Sequence, residues 1–199
     1  MRPELEAKLE TLIAKEEIRE VLYRYCRAAD RMDLDLMMSC YWPESRENHA
    51  FYVGNGHEFC RYVMPILAQA QTTTHTLSNN LIEFDGERAF VESYIRAVHR
   101  LPIKDGTLVD DETRGRYLDV FERRNGVWKI LNRVYAPDAA VDEPIALLAD
   151  PTDMQPMLPY VQLGMHGPDD PSYRRFGIAE LPKGEFRVPD LWKVLLGDH

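Results

Sequence analysis

Apolar residues recur at steps of three and four near the start of the chain: Leu5, Leu9, Leu12 and Ile13, then Ile18, Val21, Leu22, Tyr25 and Ala29. That spacing lines one face of an α-helix and predicts a helix over roughly 4–29. Leu34, Met37, Met38 and Tyr41 mark a second, short helix, with Asp33 placed to accept its first free backbone amides and Trp42-Pro43 ending it. Phe59, Tyr62, Val63, Ile66, Leu67 and Ala70 form a third stripe, in which Pro65 removes a backbone donor and should kink the helix.

The period then changes. Asp85-Gly86, Asp105-Gly106 and Asn125-Gly126 stand at 20-residue intervals, each a pair suited to the positive φ values of a tight hairpin turn. Alternating segments between them predict four long strands in an antiparallel meander. Strands of that length reach far beyond the usual ~5–6 residues, so the sheet must coil. Three helices ahead of a coiled sheet close its open side and leave a pocket between the layers. The expected fold class is therefore α+β: a cone-shaped barrel of three N-terminal helices on a strongly curved, mostly antiparallel sheet, over residues 1–136. Residues 137–199 hold nine of the 13 prolines but also Tyr160, Tyr173, Phe176, Trp192 and the run Leu191–Leu196, so they are expected to drape over the barrel or a neighbouring subunit.

A composition of 45% hydrophobic and 29% charged residues is that of a globular chain. The net charge of −9 argues against nucleic acid, whose phosphates need a basic face. Apolar runs are too short for a bilayer span and the start, MRPELEAKLE, is acidic, so the expectation is a soluble cytoplasmic protein with no membrane partner. Cys26, Cys40 and Cys60 lack metal or redox spacing and read as small core residues.

Asp30 follows Tyr23 and Cys26 at helical steps, which puts a carboxylate on the inward side of the first helix, where it needs a partner. His75 opens a strand whose same-face residues are Leu77, Asn79 and Leu81, an apolar wall with one polar group. A neutral imidazole donating one N–H to a carboxylate keeps its other nitrogen as a proton acceptor. His99 shares a face with Ser93, Ile95 and Ala97, and is either a second functional group or a satisfied core histidine. Arg114 and Arg116 on one strand face could bind a carboxylate or phenolate, or form surface ion pairs; Asn132 and Arg133 are comparable candidates. His49 and His57 are expected to be solvated. No metal is expected, because H-E-x-x-H, H-x-H and cysteine pairs are absent, and 54-GNG-56 lacks the lysine of a phosphate loop.

Three segments, 17-EIREVLYRYCRAADRMDLDLM-37, 75-HTLSNNLIEFDGERAFVESY-94 and 121-FERRNGVWKI-130, resemble in order and spacing the SnoaL-like branch of the nuclear-transport-factor-like superfamily, over roughly 10–137. Within it they are similar to scytalone dehydratases and hexachlorocyclohexane dehydrochlorinases, in which an aspartate ending the first helix orients a histidine opening the first long strand. The resemblance implies those roles for Asp30 and His75, a second catalytic histidine at His99, and a substrate-holding tyrosine at Tyr52. Ala29 stands where the dehydratases carry a tyrosine, a departure from a scytalone-like pocket. It also implies a cofactor-independent lyase that expels water, or a carbon fragment such as formaldehyde, from a small hydroxylated aromatic or cyclic compound. Asp30, His75 and His99 would do the chemistry, and Tyr52, Asn79, Arg116 and Asn132 would bind substrate. The alternatives are a ketosteroid-isomerase-like proton shuttle, a non-catalytic small subunit of a ring-hydroxylating dioxygenase, or a ligand-binding module. Phe90, Tyr94 and Val98 on the outward strand face require a second cover, from another copy or the tail, and a homodimer or homotrimer is expected.

Overall fold

A computed structural model describes residues 2–102, 106–138, 171–180 and 185–188. Helix α1 runs Pro3–Arg31, with Pro3 in its first turn, where the missing N–H costs nothing. It stops at Met32, whose left-handed φ of 55° ends the helical run. Asp33 then caps α2 (Leu34–Ser39), its carboxylate accepting from the Leu36 amide at 3.0 Å. Trp42-Pro43 does not terminate this helix but lies within strand β1 (Tyr41–Asn48). Pro43 is tolerated there because pairing with the neighbouring strand skips from Tyr41 to Arg46, so no ladder amide is needed.

Strand β2 (Tyr52–Asn55) delivers Asn55 as the cap of α3 (Gly56–Leu67), its side-chain oxygen accepting from the amides of His57 and Glu58. Pro65 lies inside the last turn of α3, which continues to Leu67, and the Ala68 amide donates to the Met64 carbonyl at 3.0 Å.

The expected meander is present as β3 (Thr72–Asp85), β4 (Arg88–Pro102), β5 (Leu108–Arg124) and β6 (Val127–Pro137). Asn125 and Gly126 both take positive φ, 50° and 78°, as the tight hairpin requires. At the first hairpin only Gly86 does, so that turn is centred on Gly86-Glu87 rather than on Asp85-Gly86. Asp105 lies outside the described residues.

Strand order is β3-β4-β5-β6-β1-β2-β7, where β7 is Phe186–Arg187. All neighbours are antiparallel except β1 and β6. The sheet thus curves without closing, with β3 and β7 as its edges among the described residues. Bulges between Leu77 and Asn80 in β3, and opposite Val120 and Phe121 in the β5–β6 pair, add to the bend. β1 escaped the sequence reading because its buried residues include the polar Ser45, Glu47 and Asn48, so no apolar alternation marks it, and β2, with only four residues, is too short to show a period.

The main core lies between the helices and the inner sheet face, joining Ile18, Leu22, Tyr25 and Cys26 to Phe59, Val91, Ile95 and Phe121. A second cluster, Phe90, Leu118, Val120, Val134 and Ala136, sits on the outer face, where the segment Pro171–Glu180, two short 3-10 turns on either side of a kink at Arg175, covers it. The Phe176 ring meets Phe90 edge-on at 6.4 Å, and the Arg175 guanidinium stands 5.1 Å from the Phe90 centroid. The chain's own tail therefore supplies the cover for Phe90, whereas Tyr94 stays exposed. Tyr160 and the Leu191–Leu196 run with Trp192 lie outside the described residues. No helix among the described residues is long and apolar enough to cross a membrane.

Candidate active site

Asp30 sits in the last turn of α1, in line with Cys26, Leu22 and Ile18 at steps of four, all buried; Tyr23 faces solvent and does not share this wall. Its Oδ1 lies 2.7 Å from His75 Nδ1, its Oδ2 accepts from the His75 backbone N–H at 3.0 Å, and the Thr73 hydroxyl donates to Oδ1 at 3.2 Å. One carboxylate thereby holds both the ring and the main chain of His75. Since an ionised carboxylate only accepts, Nδ1 carries the proton and Nε2 the lone pair. No described residue bonds to Nε2. Burial lowers the His75 pKa below the ordinary 6.5; the hydrogen bond to Asp30 opposes the shift, and His99 adds to it. The imidazole is thus kept neutral, the state a general base needs.

His99 stands directly across the β4–β5 ladder from Asp111, its Nδ1 3.2 Å from Oδ2. The His75 and His99 rings meet edge-on at 5.5 Å. Both line a cavity of about 90 Å³ whose other walls include Tyr25, Ala29, Phe51, Phe59, Ile95 and Tyr135. Asp111 escaped the sequence reading; its position opposite His99 follows only from the register of β4 and β5.

His49, expected in solvent, lines the same cavity and is buried. Its Nδ1 is 2.5 Å from Glu47 Oε1, and Glu47 Oε2 accepts from the Tyr41 hydroxyl at 2.8 Å. A Glu-x-His spacing on one strand face was the available signal, but it requires β1 to be recognised first. His57 is partly buried in the first turn of α3, with Nε2 3.3 Å from the Tyr41 carbonyl.

The four residues expected to bind substrate do not line the cavity. Tyr52 is buried, but its hydroxyl donates to the Asn55 carbonyl at 2.9 Å and its ring packs on Phe59 and Tyr62. The β3 bulge between Leu77 and Asn80 shifts the alternation by one, exposing Asn79 and Leu81 and turning Asn80 and Ile82 inward. Arg116 points to the outer face, where it pairs with Glu92 at 3.0 Å and Asp138 at 3.2 Å. Asn132 follows the irregularity in β6, which gives the fully buried position to Arg133. Arg114 pairs with Glu112 on the surface.

Arg133 binds Asp119 through two hydrogen bonds of 2.7 and 2.8 Å, both side chains fully buried. Its guanidinium lies 4.0 Å from the Tyr117 centroid and 4.3 Å from that of Tyr25, so these tyrosines wall the cavity on one side and cover a buried cation on the other. Burial alone would lower the Arg133 pKa, but Asp119 outweighs it and holds the group firmly charged. Burial pushes the Cys40 thiol up to about 11 and Cys26 to about 12, leaving neither a thiolate nucleophile near neutral pH. Among the described residues, no three His, Cys, Asp or Glu side chains are grouped to hold one metal ion.

Residues 10–134 match the model of the SnoaL-like domain. No curated protein sequence matches the chain. Similar solved structures include a putative scytalone dehydratase from Novosphingobium aromaticivorans (20% identity, TM-score 0.60, covering 67% of this chain and 89% of that one). A hexachlorocyclohexane dehydrochlorinase, LinA-type3, from Novosphingobium barchaimii is 17% identical with a TM-score of 0.55 over 68% of this chain and 97% of that one. A Mycobacterium tuberculosis protein of unknown function is 22% identical with a TM-score of 0.58 over 79% and 89%. With the family model spanning most of the helices and the sheet that enclose the cavity, the chain belongs to the SnoaL-like family.

Proposed function

We propose that this chain is a cofactor-independent lyase acting on a small hydroxylated aromatic or cyclic compound held in the cavity. The observation that carries the proposal is the grip of Asp30 on His75, which sets the tautomer, orientation and protonation state of one imidazole on an otherwise mostly apolar wall. A base so placed takes a proton from the substrate through Nε2. The electron pair left behind forms a conjugated double bond as a β-substituent departs with its own pair. The proton taken by His75 is the one the departing hydroxide needs to leave as water, and His99, held by Asp111 and in ring contact with His75, is the candidate to relay it. If His75 instead takes the O–H proton of a hydroxymethyl group, its C–O bond becomes a carbonyl, the C–C bond to that group breaks, and the released pair forms the double bond as the β-substituent departs, giving formaldehyde. Two of the similar structures bear the names of a dehydratase and a dehydrochlorinase, both eliminations, which supports this class of reaction.

The test is a screen of purified protein against aromatic and alicyclic alcohols, read by mass spectrometry for loss of water or formaldehyde. On any substrate found, Asp30→Asn and His75→Ala should each lower kcat by at least ~10² with the fold intact. Unaltered turnover in either folded variant would sink the proposed roles.

A further inference from the structure

The proposed elimination gives no role to one buried titratable pair, Glu47 and His49. Glu47 is 1% exposed and both its oxygens are occupied, one by the Tyr41 hydroxyl and one by His49 Nδ1. The His49 ring is clamped between Phe59 (centroids 4.6 Å, planes 19° apart) and Tyr135 (5.3 Å, 18°), with Phe51 and Tyr117 tilted against it at 5.5 and 5.6 Å. Its side chain is only 10% exposed, yet it lines the cavity, and no described residue bonds to Nε2. The main chain beside it is also held unusually. Ala50 has a φ of 63°, and the Phe51 amide donates to the His49 carbonyl at 2.7 Å, a three-residue turn that is sterically unfavourable for a residue with a Cβ.

We propose that His49 is the anchor of a phenol subsite: a substrate ring lies among Phe51, Phe59, Tyr117 and Tyr135 and donates its hydroxyl proton in a hydrogen bond to His49 Nε2. This rests on the proposed function only in taking the cavity as the small-molecule site, not on any elimination. Glu47 accepts from Nδ1–H, so Nε2 presents a lone pair and requires a donor. The surrounding rings favour an aromatic body. The charged groups facing the cavity or standing just behind it select against an anion. Asp111 and the Glu47 and Asp30 carboxylates are acidic, and the buried cation Arg133 lies behind Tyr25 and Tyr117 and is matched by Asp119. A neutral phenol satisfies all three conditions, whereas a benzoate or a phenyl ether fails one.

The probes are para-cresol and para-methylanisole, which share a ring and a methyl group and differ in the hydroxyl proton; both are neutral at pH 7, since phenols ionise near ~10. Calorimetry on the wild-type chain should show cresol binding at least ~10-fold more tightly, because a polar group buried for a donor is left unmatched by the ether. His49→Leu should erase that preference, and Glu47→Gln should weaken it, while His75→Gln should retain it. Histidine ring 15N spectra of the wild-type chain decide the matter even if His49→Leu does not fold: cresol should shift the His49 Nε2 signal. Equal affinity for the two probes, binding of neither, an intact preference in folded His49→Leu, or shifts confined to His75 or His99 would each overturn the proposal. Failure to turn over any alcohol would count against the lyase and leave this measurement standing.

Discussion

A carboxylate placed behind an imidazole decides which nitrogen is free, and at His75 this is combined with burial that disfavours the cation. The acid limb of kcat/KM on any substrate found should therefore have its midpoint below 6.5, the ordinary imidazole value. A midpoint at or above that value would mean that His75 is not the titrating base. Stability should follow the same sign. Because the folded pKa is lowered, the unfolded chain binds this proton more readily, so the contribution is complete above about 6.5 and is lost as pH falls through the folded value. Arg133 and Asp119 obey a different rule, since each compensates the other's charge in a fully buried place. Asp119→Ala leaves a guanidinium buried among Tyr25, Tyr41 and Tyr117 and should cost about 3–5 kcal/mol in urea unfolding, a loss that a surface pair such as Arg100–Asp110 would not show. At this scale the sequence marked Asp30, His75 and His99, the helical step from Cys26 turning Asp30 inward and the family resemblance implying the roles of all three. It did not single out Glu47 or Asp111 and expected His49 in solvent, since Asp111 takes its meaning from the β4–β5 register and the Glu-x-His spacing only from recognising β1.

Elements defined by strong periodicity or by a turn residue with a stereochemical reason were legible: α1, the Asp33 cap, and the Asn125-Gly126 hairpin all formed where the residues required. Strands β1 and β2 were not, because β1 turns the polar Ser45, Glu47 and Asn48 inward and β2 has only four residues. Asn55, between β2 and α3, shows what such a junction carries. It accepts from two amides of the helix and its NH2 donates to the carbonyls of Pro43 and Ser45. Asn55→Ala should thus cost at the upper end of a cap loss, about 2 kcal/mol, measured by thermal or urea unfolding. A change within ~0.5 kcal/mol would show that water replaces these bonds freely. The β3 bulge had the largest effect on the reading of the site. Strict alternation from His75 placed Asn79 and Leu81 on the pocket wall, and one extra residue put Ile82 on the inward face instead.

In the whole molecule, the outer sheet face is partly covered by Pro171–Glu180, yet Tyr94 and the first turns of α1, with Leu5, Leu9, Leu12 and Ile13, remain exposed. Apolar surface of this kind, with the stripe on a projecting helix, supports the proposal of a homodimer or homotrimer. Light scattering at micromolar concentration should return a multiple of 23.1 kDa; the monomer mass throughout that range would refute it. Replacing Phe176 with Ala should lower stability by loosening the cover over Phe90 while leaving the cavity residues in place, which unfolding curves and any activity found can separate. The sequence by itself determined the helices and the four-stranded meander, because these depend on periods of 3.6 and 2 and on turn chemistry confined to a few adjacent residues, whereas the pairing of Asp30 with His75 was implied by the family resemblance. Only the tertiary structure decided where β1 inserts beside β6, which strand face the bulges turn inward, and which histidines share one cavity. These are set by register and packing between segments far apart in the chain, and a local pattern holds no record of them.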